Sequence, residues 1–388
     1  MSDTAPACAA GLRVEVINAI HQIDASEWDR LAGPQAPFLR HAFLHALEAT
    51  GCLGERYGWL PAHLLVRDGS NRLVGAAPAY RKFNSYGELV FDWTWADAAR
   101  RAGIAYYPKL VVAVPYTPAT GPRLLVDPQT PSAAERLIAA APALARAENL
   151  SSVHWLFTHE QDHARLVSAG HAPRYDCQYH WVNRGYEDFD AFLATLNSKR
   201  RKEIRRERRK VGDAGIRLVR KSGGEITAAE WATWYALYRS TFERRGGAAT
   251  LSLEFFERIA DELPDQLLLV QCRAGERIVA AALNFIWGDV LYGRHWGAFE
   301  SYDALHFEAC YYQGIEHAIE SGLLRFEPGA QGEYKILRGF DPVLTRSAHW
   351  IADAALDSAV RRSLAHEEAA VRDYCAELAA HSAYRQDG

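Results

Sequence analysis

The feature that most limits what this chain can fold into is a repeat. Leu268-Leu-Val270, a turn at Ala274-Gly275 and Arg277-Ile-Val-Ala-Ala-Ala-Leu283 match Leu64-Leu-Val66, a turn at Asp68-Gly69 and Arg72-Leu-Val-Gly-Ala-Ala-Pro78. Each set reads as a β-hairpin, two apolar runs joined across a glycine-containing turn. Gly87-Glu-Leu-Val-Phe91, with Trp95-Ala96 beyond it, then matches Gly288-Asp-Val-Leu-Tyr292 and Trp296-Gly297 at a constant offset of 201 residues. Two matches in the same order predict duplication of one domain, each copy running helix, helix, strand, hairpin strand, strand, helix.

The flanking segments fit that plan. In the first copy Val14-Glu-Val-Ile17 reads as a strand, Asp24 or Ser26 caps a helix running toward Leu31, and a second helix covers 42–49. The second copy has a helix pair over 228–244 and 252–263, the latter opened by Ser252. Asp303 is an N-cap for an amphipathic helix to about Glu320, ended by Gly322 and followed by a strand Leu323-Leu-Arg-Phe326. From Ala352 to about Ala380 apolar positions recur at helical spacing, which predicts a tail helix packed on the second copy. The 388 residues therefore divide into 14–175, 176–350 and a helical tail, 351–388, in the α+β class.

Composition excludes several classes. With 49% hydrophobic and 24% charged residues the chain is neither disordered nor fibrous. No apolar run reaches the roughly 18–20 residues that span a bilayer, so no integral membrane segment is expected. Met1-Ser2-Asp3-Thr4 lacks a basic residue and no apolar stretch follows before Arg13, so we expect no secretory signal and a cytoplasmic location. The six cysteines, Cys8, Cys52, Cys177, Cys272, Cys310 and Cys375, are scattered, as reduced thiols are. Cys177 with His180, and His306 with Cys310, lack a second ligand pair at structural zinc spacing, so no metal is expected.

Net charge is −4, yet Lys199 to Lys210 carries nine Lys or Arg against Glu203 and Glu207. Free of Pro and Gly, the run predicts a helix that is cationic almost all round. Either it is a solvated helix with internal ion pairs, or Arg205, Arg206, Arg208 and Arg209 bind phosphate oxygens in their planar forks. The anion would come from tRNA, a coenzyme A phosphate, a lipid pyrophosphate or a membrane surface in peripheral contact.

The duplicated α+β unit, together with particular stretches, resembles the FemAB-like branch of the tandem GNAT acyltransferases, proteins of peptidoglycan biosynthesis or recognition. The stretches are Tyr106-Tyr-Pro-Lys-Leu110, Pro115-Tyr-Thr-Pro-Ala-Thr-Gly-Pro-Arg123, the basic run, Leu291-Tyr-Gly-Arg-His-Trp-Gly297, His306-Phe-Glu-Ala-Cys-Tyr-Tyr-Gln313, and Glu327 to Phe340. The resemblance covers about residues 14 to 350. It implies two GNAT-like domains, each a mainly antiparallel sheet flanked by helices. It also implies transfer of an aminoacyl or acyl group from aminoacyl-tRNA or acyl-CoA to an amine, on a small molecule or a lipid-linked cell-wall precursor. Two departures bear on the donor. No Gln/Arg-x-x-Gly-x-Gly/Ala loop follows either third strand, and no long helical hairpin is inserted. The cofactor is left open.

Within these stretches the chemistry-bearing residues are few. In Glu327-Pro-Gly-Ala-Gln331-Gly-Glu333-Tyr-Lys335-Ile-Leu-Arg338, an extended backbone after Gly332 would project Glu333 and Lys335 on one face. The Glu-Tyr-Lys step resembles the lysine-bearing end of the Fem-type pattern, which marks Lys335 as the electrostatic catalyst and Glu333 as its support or a proton acceptor. Glu308 is a further catalytic candidate, although on a helix it points about 200° from His306. Arg294, Arg338, Gln331 and His306 are expected to bind substrate. So are Tyr107, Lys109, Tyr116, Thr117 and Arg123, which lie in a proline-punctuated loop of the kind that lines clefts. With no Gly-x-Ser-x-Gly turn, acyl transfer is expected to be direct, in a cleft between the copies. The rival expectation is a catalytically silent pair that recognises an anionic ligand, a cell-wall precursor or a nucleic acid.

Overall fold

The computed structural model describes residues 11–33, 36–244 and 246–385; the N-terminal residues behind the leader reading, and Cys8, lie outside them. The chain forms two compact units. One takes the residues up to Asp176 with Thr345–Ala369, and the other takes Cys177–Leu344 with the residues from Ala370 onward.

In the first unit the hairpin is strands His63–Arg67 and Leu73–Ala77, with Arg13–Ile17 and Leu125–Val126 on its two edges. Asp24 accepts from the backbone N–H of Ser26 and Glu27 and starts the helix Ala25–Ala32, ahead of His41–Ala49. The hairpin strands are buried from His63 to Val66 and from Leu73 to Ala77, and helix Ala133–Ala147 lies over them through Ala133, Leu137 and Ala141. Gly75 allows this approach, since a Cβ there would sit 3.0 Å from that of Ala133.

The strand expected to run unbroken through Pro78 is two strands. Pro78 has no N–H to offer a ladder, and Ala79–Lys82 leaves the hairpin to pair with Trp59–Pro61 and Lys109–Val112. Lys109–Val112 pairs in parallel with Ser152–Trp155, which in turn takes Ala348–Ile351.

In the second unit, strands Ile216–Ser222, Leu267–Ala274, Arg277–Trp287 and Val290–Ala298 pair consecutively and antiparallel. Arg325–Glu327 adds in parallel and then meets Trp181 and Val182. The helices Ala228–Glu243, with a Thr227/Glu230 capping box, and Leu253–Glu262, capped by Ser252, are where the pattern put them. Gly297 is required here because a Cβ would lie 2.3 Å from the backbone of Leu237 on the helix Ala228–Glu243.

Other expectations differ from the structure. Gly87–Phe91 is a turn-rich loop instead of a third strand, and Trp95 lies in the helix Trp93–Arg101. Gly87 and Leu89 adopt positive φ there, which turns Glu88 and Asp92 inward. The helix expected over 303–320 is interrupted by a π-turn, Glu308–Tyr312, between Leu305–Phe307 and Gln313–Glu320, and Asp303 pairs with Lys210 instead of capping it. The tail helix, Ala354–Ala380, does not pack wholly on the second copy. Leu356, Val360 and Leu364 pack with Trp95, Ala99 and Tyr106 of the first unit, whereas Leu378 packs in the second. Glu333–Arg338 is a 3-10 helix and not extended.

Candidate functional site

The 3-10 helix Glu333–Arg338 builds the site. Strand Arg325–Glu327 runs into Pro328-Gly329, and Gly332, at φ +112°, starts the 3-10 turn that Gly339, at φ +85°, closes. At three residues per turn, positions i and i+2 face apart. Glu333 goes to the surface, where it accepts from the Tyr374 hydroxyl at 2.6 Å. Lys335 goes inward and is 1% exposed. Its Nζ donates to the Gly329 carbonyl at 2.6 Å and lies 5.8 and 5.9 Å from the ring centres of Tyr179 and Tyr311. It makes no ion pair with a carboxylate among the described residues, and burial pushes its ammonium down to about 7.

Glu327, at the end of the strand, is buried and accepts from Arg325 Nε at 2.9 Å. Burial raises its carboxyl to about 7, against the opposing pull of Arg325 and Arg294. Its Oε2 lies 3.8 Å from His180 Nε2. Burial, with smaller contributions from Arg325 and Lys335, drops His180 to about 3, so that imidazole is neutral. His306 sits edge-on to Trp296 and Tyr311, each 5.4 Å between ring centres, and burial and then Lys335 and Arg338 lower it to about 4. A lysine and a glutamate that both titrate near neutrality, with neutral imidazoles beside them, can give and take protons at physiological pH.

The other expected residues of this unit have different occupations. Arg338 donates to Tyr312 Oη at 3.0 Å, the Tyr334 carbonyl at 2.9 Å and Glu207 at 2.7 Å, and lies 3.5 Å over the Phe307 ring. It fastens the 3-10 turn to the basic helix. Arg294 is half-buried on strand Val290–Ala298 and reaches the site as a charge acting on Glu327. Gln331 is exposed. Glu308 lies on the π-turn and accepts from Arg208 Nε at 3.2 Å and Gln313 Nε2 at 2.8 Å, partners that occupy it in the fold.

The basic helix, Ser198–Asp213, is capped by Asn197 and is not evenly cationic. Ile204 and Val211 bury one face. Arg208 on that side also binds Glu316 at 3.0 Å and covers Phe189, so a phosphate would have to compete with two carboxylates for it. Arg205 pairs with Asp190 at 2.8 Å. The outward face carries Lys199, Lys202, Arg206 and Arg209 at the i, i+3, i+7, i+10 spacing of one stripe, and none of these four makes an ion pair among the described residues.

In the first unit, Lys109 is fully buried against Glu88 at 2.9 Å, Asp92 and Ser85 Oγ at 3.0 Å. Burial pushes this ammonium down, but the two carboxylates outweigh it and the net shift is upward. Tyr107 shares a hydrogen bond with Ser85 at 2.8 Å. Arg123, also buried, donates to the carbonyls of Leu156, Pro122 and Ala119. The Tyr116 hydroxyl donates to the Cys52 carbonyl at 2.9 Å and Thr117 to the Pro115 carbonyl at 3.0 Å. These contacts hold the proline-punctuated loop in shape.

Sequence reasoning passed over Glu327 and His180 as site residues. Glu327 heads the marked stretch, a signal that was available, but its burial was not. His180 comes from a different strand, and no spacing links the two. Cys310 is half-buried, and desolvation raises its thiol well above the ordinary range, the opposite of an activated nucleophile. Among the described residues no group of three or more His, Cys, Asp or Glu is placed to hold a metal. No helix there is long and apolar enough to cross a membrane.

Residues 19–386 match the model of the FemAB-like family, described as peptidoglycan biosynthesis/recognition. The structure is similar to that of FemX, with 14% identity, 87% of this chain and 98% of that one covered, and a TM-score of 0.52. It is also similar to the C-terminal domain of a protein from Agrobacterium fabrum described as a lysylphosphatidylglycerol synthetase, with 9% identity, 90% and 97% covered, and a TM-score of 0.51. A tandem GNAT protein of the clavulanic acid pathway aligns at 14% identity and a TM-score of 0.46, with 88% and 98% covered. No curated protein matches the sequence. The chain belongs to the FemAB-like family, and its α+β fold is like that of FemX. Membership places the chain among proteins of peptidoglycan biosynthesis or recognition.

Proposed function

We propose, with membership of the FemAB-like family as the premise, that the chain moves an activated acyl or aminoacyl group directly onto an amine of a peptidoglycan-related acceptor. Lys335 and Glu327 are the two residues assigned to its proton handling and charge stabilisation. The observation that carries this reading is a lysine buried without a carboxylate partner, in the same unit as a buried glutamate, both near 7.

As the amine nitrogen attacks the acyl carbon, the new C–N bond forms, the carbonyl oxygen takes up negative charge, and the nitrogen must lose a proton. Glu327, half ionised near neutrality, accepts that proton. Protonated Lys335 stabilises the developing oxyanion, an interaction stronger in the transition state than in the ground state. The bond to the donor's carrier then breaks, and the carrier leaves with the proton. Glu333, on the surface, has no part in this scheme. The outward stripe of the basic helix suits the phosphates of the carrier or acceptor.

The test is transfer of labelled acyl groups from acyl-CoA and from aminoacyl-tRNA to amine-bearing peptidoglycan precursors, with wild type beside Lys335→Met and Glu327→Gln. Stoichiometric product formation that both substitutions depress supports the assignment. Donors that bind without transfer would favour the silent, ligand-recognising protein instead.

A further inference from the structure

We propose that the loop Phe83–Trp93 of the first unit docks on the interfacial layer of a lipid bilayer. Ten large hydrophobic side chains are exposed among the described residues, and four of them fall in this one loop: Phe83 at 48%, Tyr86 at 71%, Phe91 at 51% and Trp93 at 40%. Tyr86 and Trp93 touch edge to face, with ring centres 5.0 Å apart. Scattered exposed apolar residues are ordinary, but a cluster of them needs a partner.

The loop is held in this display by its other side chains. Between the outward rings, Lys82, Ser85, Glu88 and Asp92 point inward and are buried. Lys82 Nζ donates to Asn84 Oδ1 and to the Tyr86 carbonyl, each at 2.9 Å, and lies 4.2 Å over the Trp59 ring. Lys109 holds Ser85, Glu88 and Asp92 from beneath. Folding the rings inward would break this buried ion cluster, so their exposure is enforced.

The charges identify the occupant. The loop's ionic groups, Glu88 and Asp92, are spent on Lys109 beneath it, and on the adjoining helix Arg100 and Arg101 share Asp97 at 2.6 Å, which leaves a single net positive charge. The outward face is therefore aromatic and close to neutral. Amphipathic Trp and Tyr rings favour the headgroup level of a bilayer, and a surface with so little net charge suits a zwitterionic layer. This separates the loop from the basic helix, whose attraction would be salt-sensitive. The inference does not rest on acyl transfer, and a chain inactive with every donor still docks.

The experiment is co-sedimentation of the full chain with phosphatidylcholine vesicles at 0.1 and 0.5 M salt, repeated with cell-wall glycan. Binding to the neutral vesicles at both salt concentrations is expected. The variant Phe83→Ser/Tyr86→Ser/Phe91→Ser/Trp93→Ser should lose it by about a hundredfold. Tyr86→Ser alone, at the most exposed ring, should lose it by roughly threefold without disturbing the fold. Lys199→Gln/Lys202→Gln/Arg206→Gln/Arg209→Gln should bind these vesicles like wild type. Absence of wild-type binding, abolition by salt, or full binding by a folded Tyr86→Ser or quadruple-serine variant overturns the proposal. So does sedimentation with glycan alone, which would make the loop a sugar platform.

Discussion

Two buried lysines, one in each unit, show what burial by itself does not decide. Lys109 and Lys335 are 0% and 1% exposed. Lys109 has Glu88 and Asp92 against it and is held as a permanent cation. Lys335 has a carbonyl and two ring faces, and its ammonium is pushed down to about 7. The first arrangement returns in Coulomb attraction what desolvation takes away, so its charge belongs to the fold. The second leaves the cost unreturned. A fold keeps such a group only where other packing compensates, and positions of that kind are enriched at catalytic sites.

The contrast can be broken most directly at Lys109. Lys109→Met strands two carboxylates in the core and should cost about 3–5 kcal/mol in denaturant unfolding. Lys335→Met strands no charge, only the Gly329 carbonyl, and should leave stability equal or slightly higher, while single-turnover transfer falls by about 10²–10³. If both variants unfold alike, or if Lys335→Met transfers at the parent rate, the distinction between the two lysines fails.

A smaller effect should appear in the pH dependence of stability. Because the pKa of Lys335 falls from 10.5 to about 7 on folding, the unfolded chain holds its proton over a range where the folded chain has lost it. Stability from this residue therefore rises as pH climbs from about 7 toward 10.5. Glu327, raised from 4.5 to about 7, acts in the other direction, with its contribution full below 4.5 and lost as pH rises through 7. Unfolding at pH 6, 8 and 10 should show the upward trend in wild type and a flatter one in Lys335→Met. Equal slopes would return Lys335 to an ordinary lysine.

The smallest change sharpens the comparison at the basic helix, where one face serves the fold and the other is spare. Replacing Lys199, Lys202, Arg206 and Arg209 by Gln should alter stability by less than about 0.5 kcal/mol while flattening the salt dependence of donor or acceptor binding. Arg208→Gln leaves Glu308 and Glu316 facing each other and should destabilise by about 1–3 kcal/mol. If the order is reversed, the assignment of faces is wrong.

Local information sufficed for much of this. Hairpin turns, N-caps at Asp24 and Ser252, and the helical spacing of the basic run were legible because each depends on neighbours a few residues away. The third strand of the first copy was misread because Gly87–Phe91 carries an apolar pattern that a strand would share. What prevents the strand is Lys109, twenty-one residues beyond Glu88, drawing two acids inward.

By itself the sequence determined the α+β class and that one helix concentrates the positive charge. Periodicity and residue identity record those facts directly. Only the tertiary structure decided which lysine keeps a counter-ion and which arginines are already spent, and that Glu327, not Glu333, lies in the core of the unit. The physical reason is that a side chain's proton affinity and freedom to bind depend on desolvation and on charges a few ångströms away, contributed here by strands and helices remote in sequence.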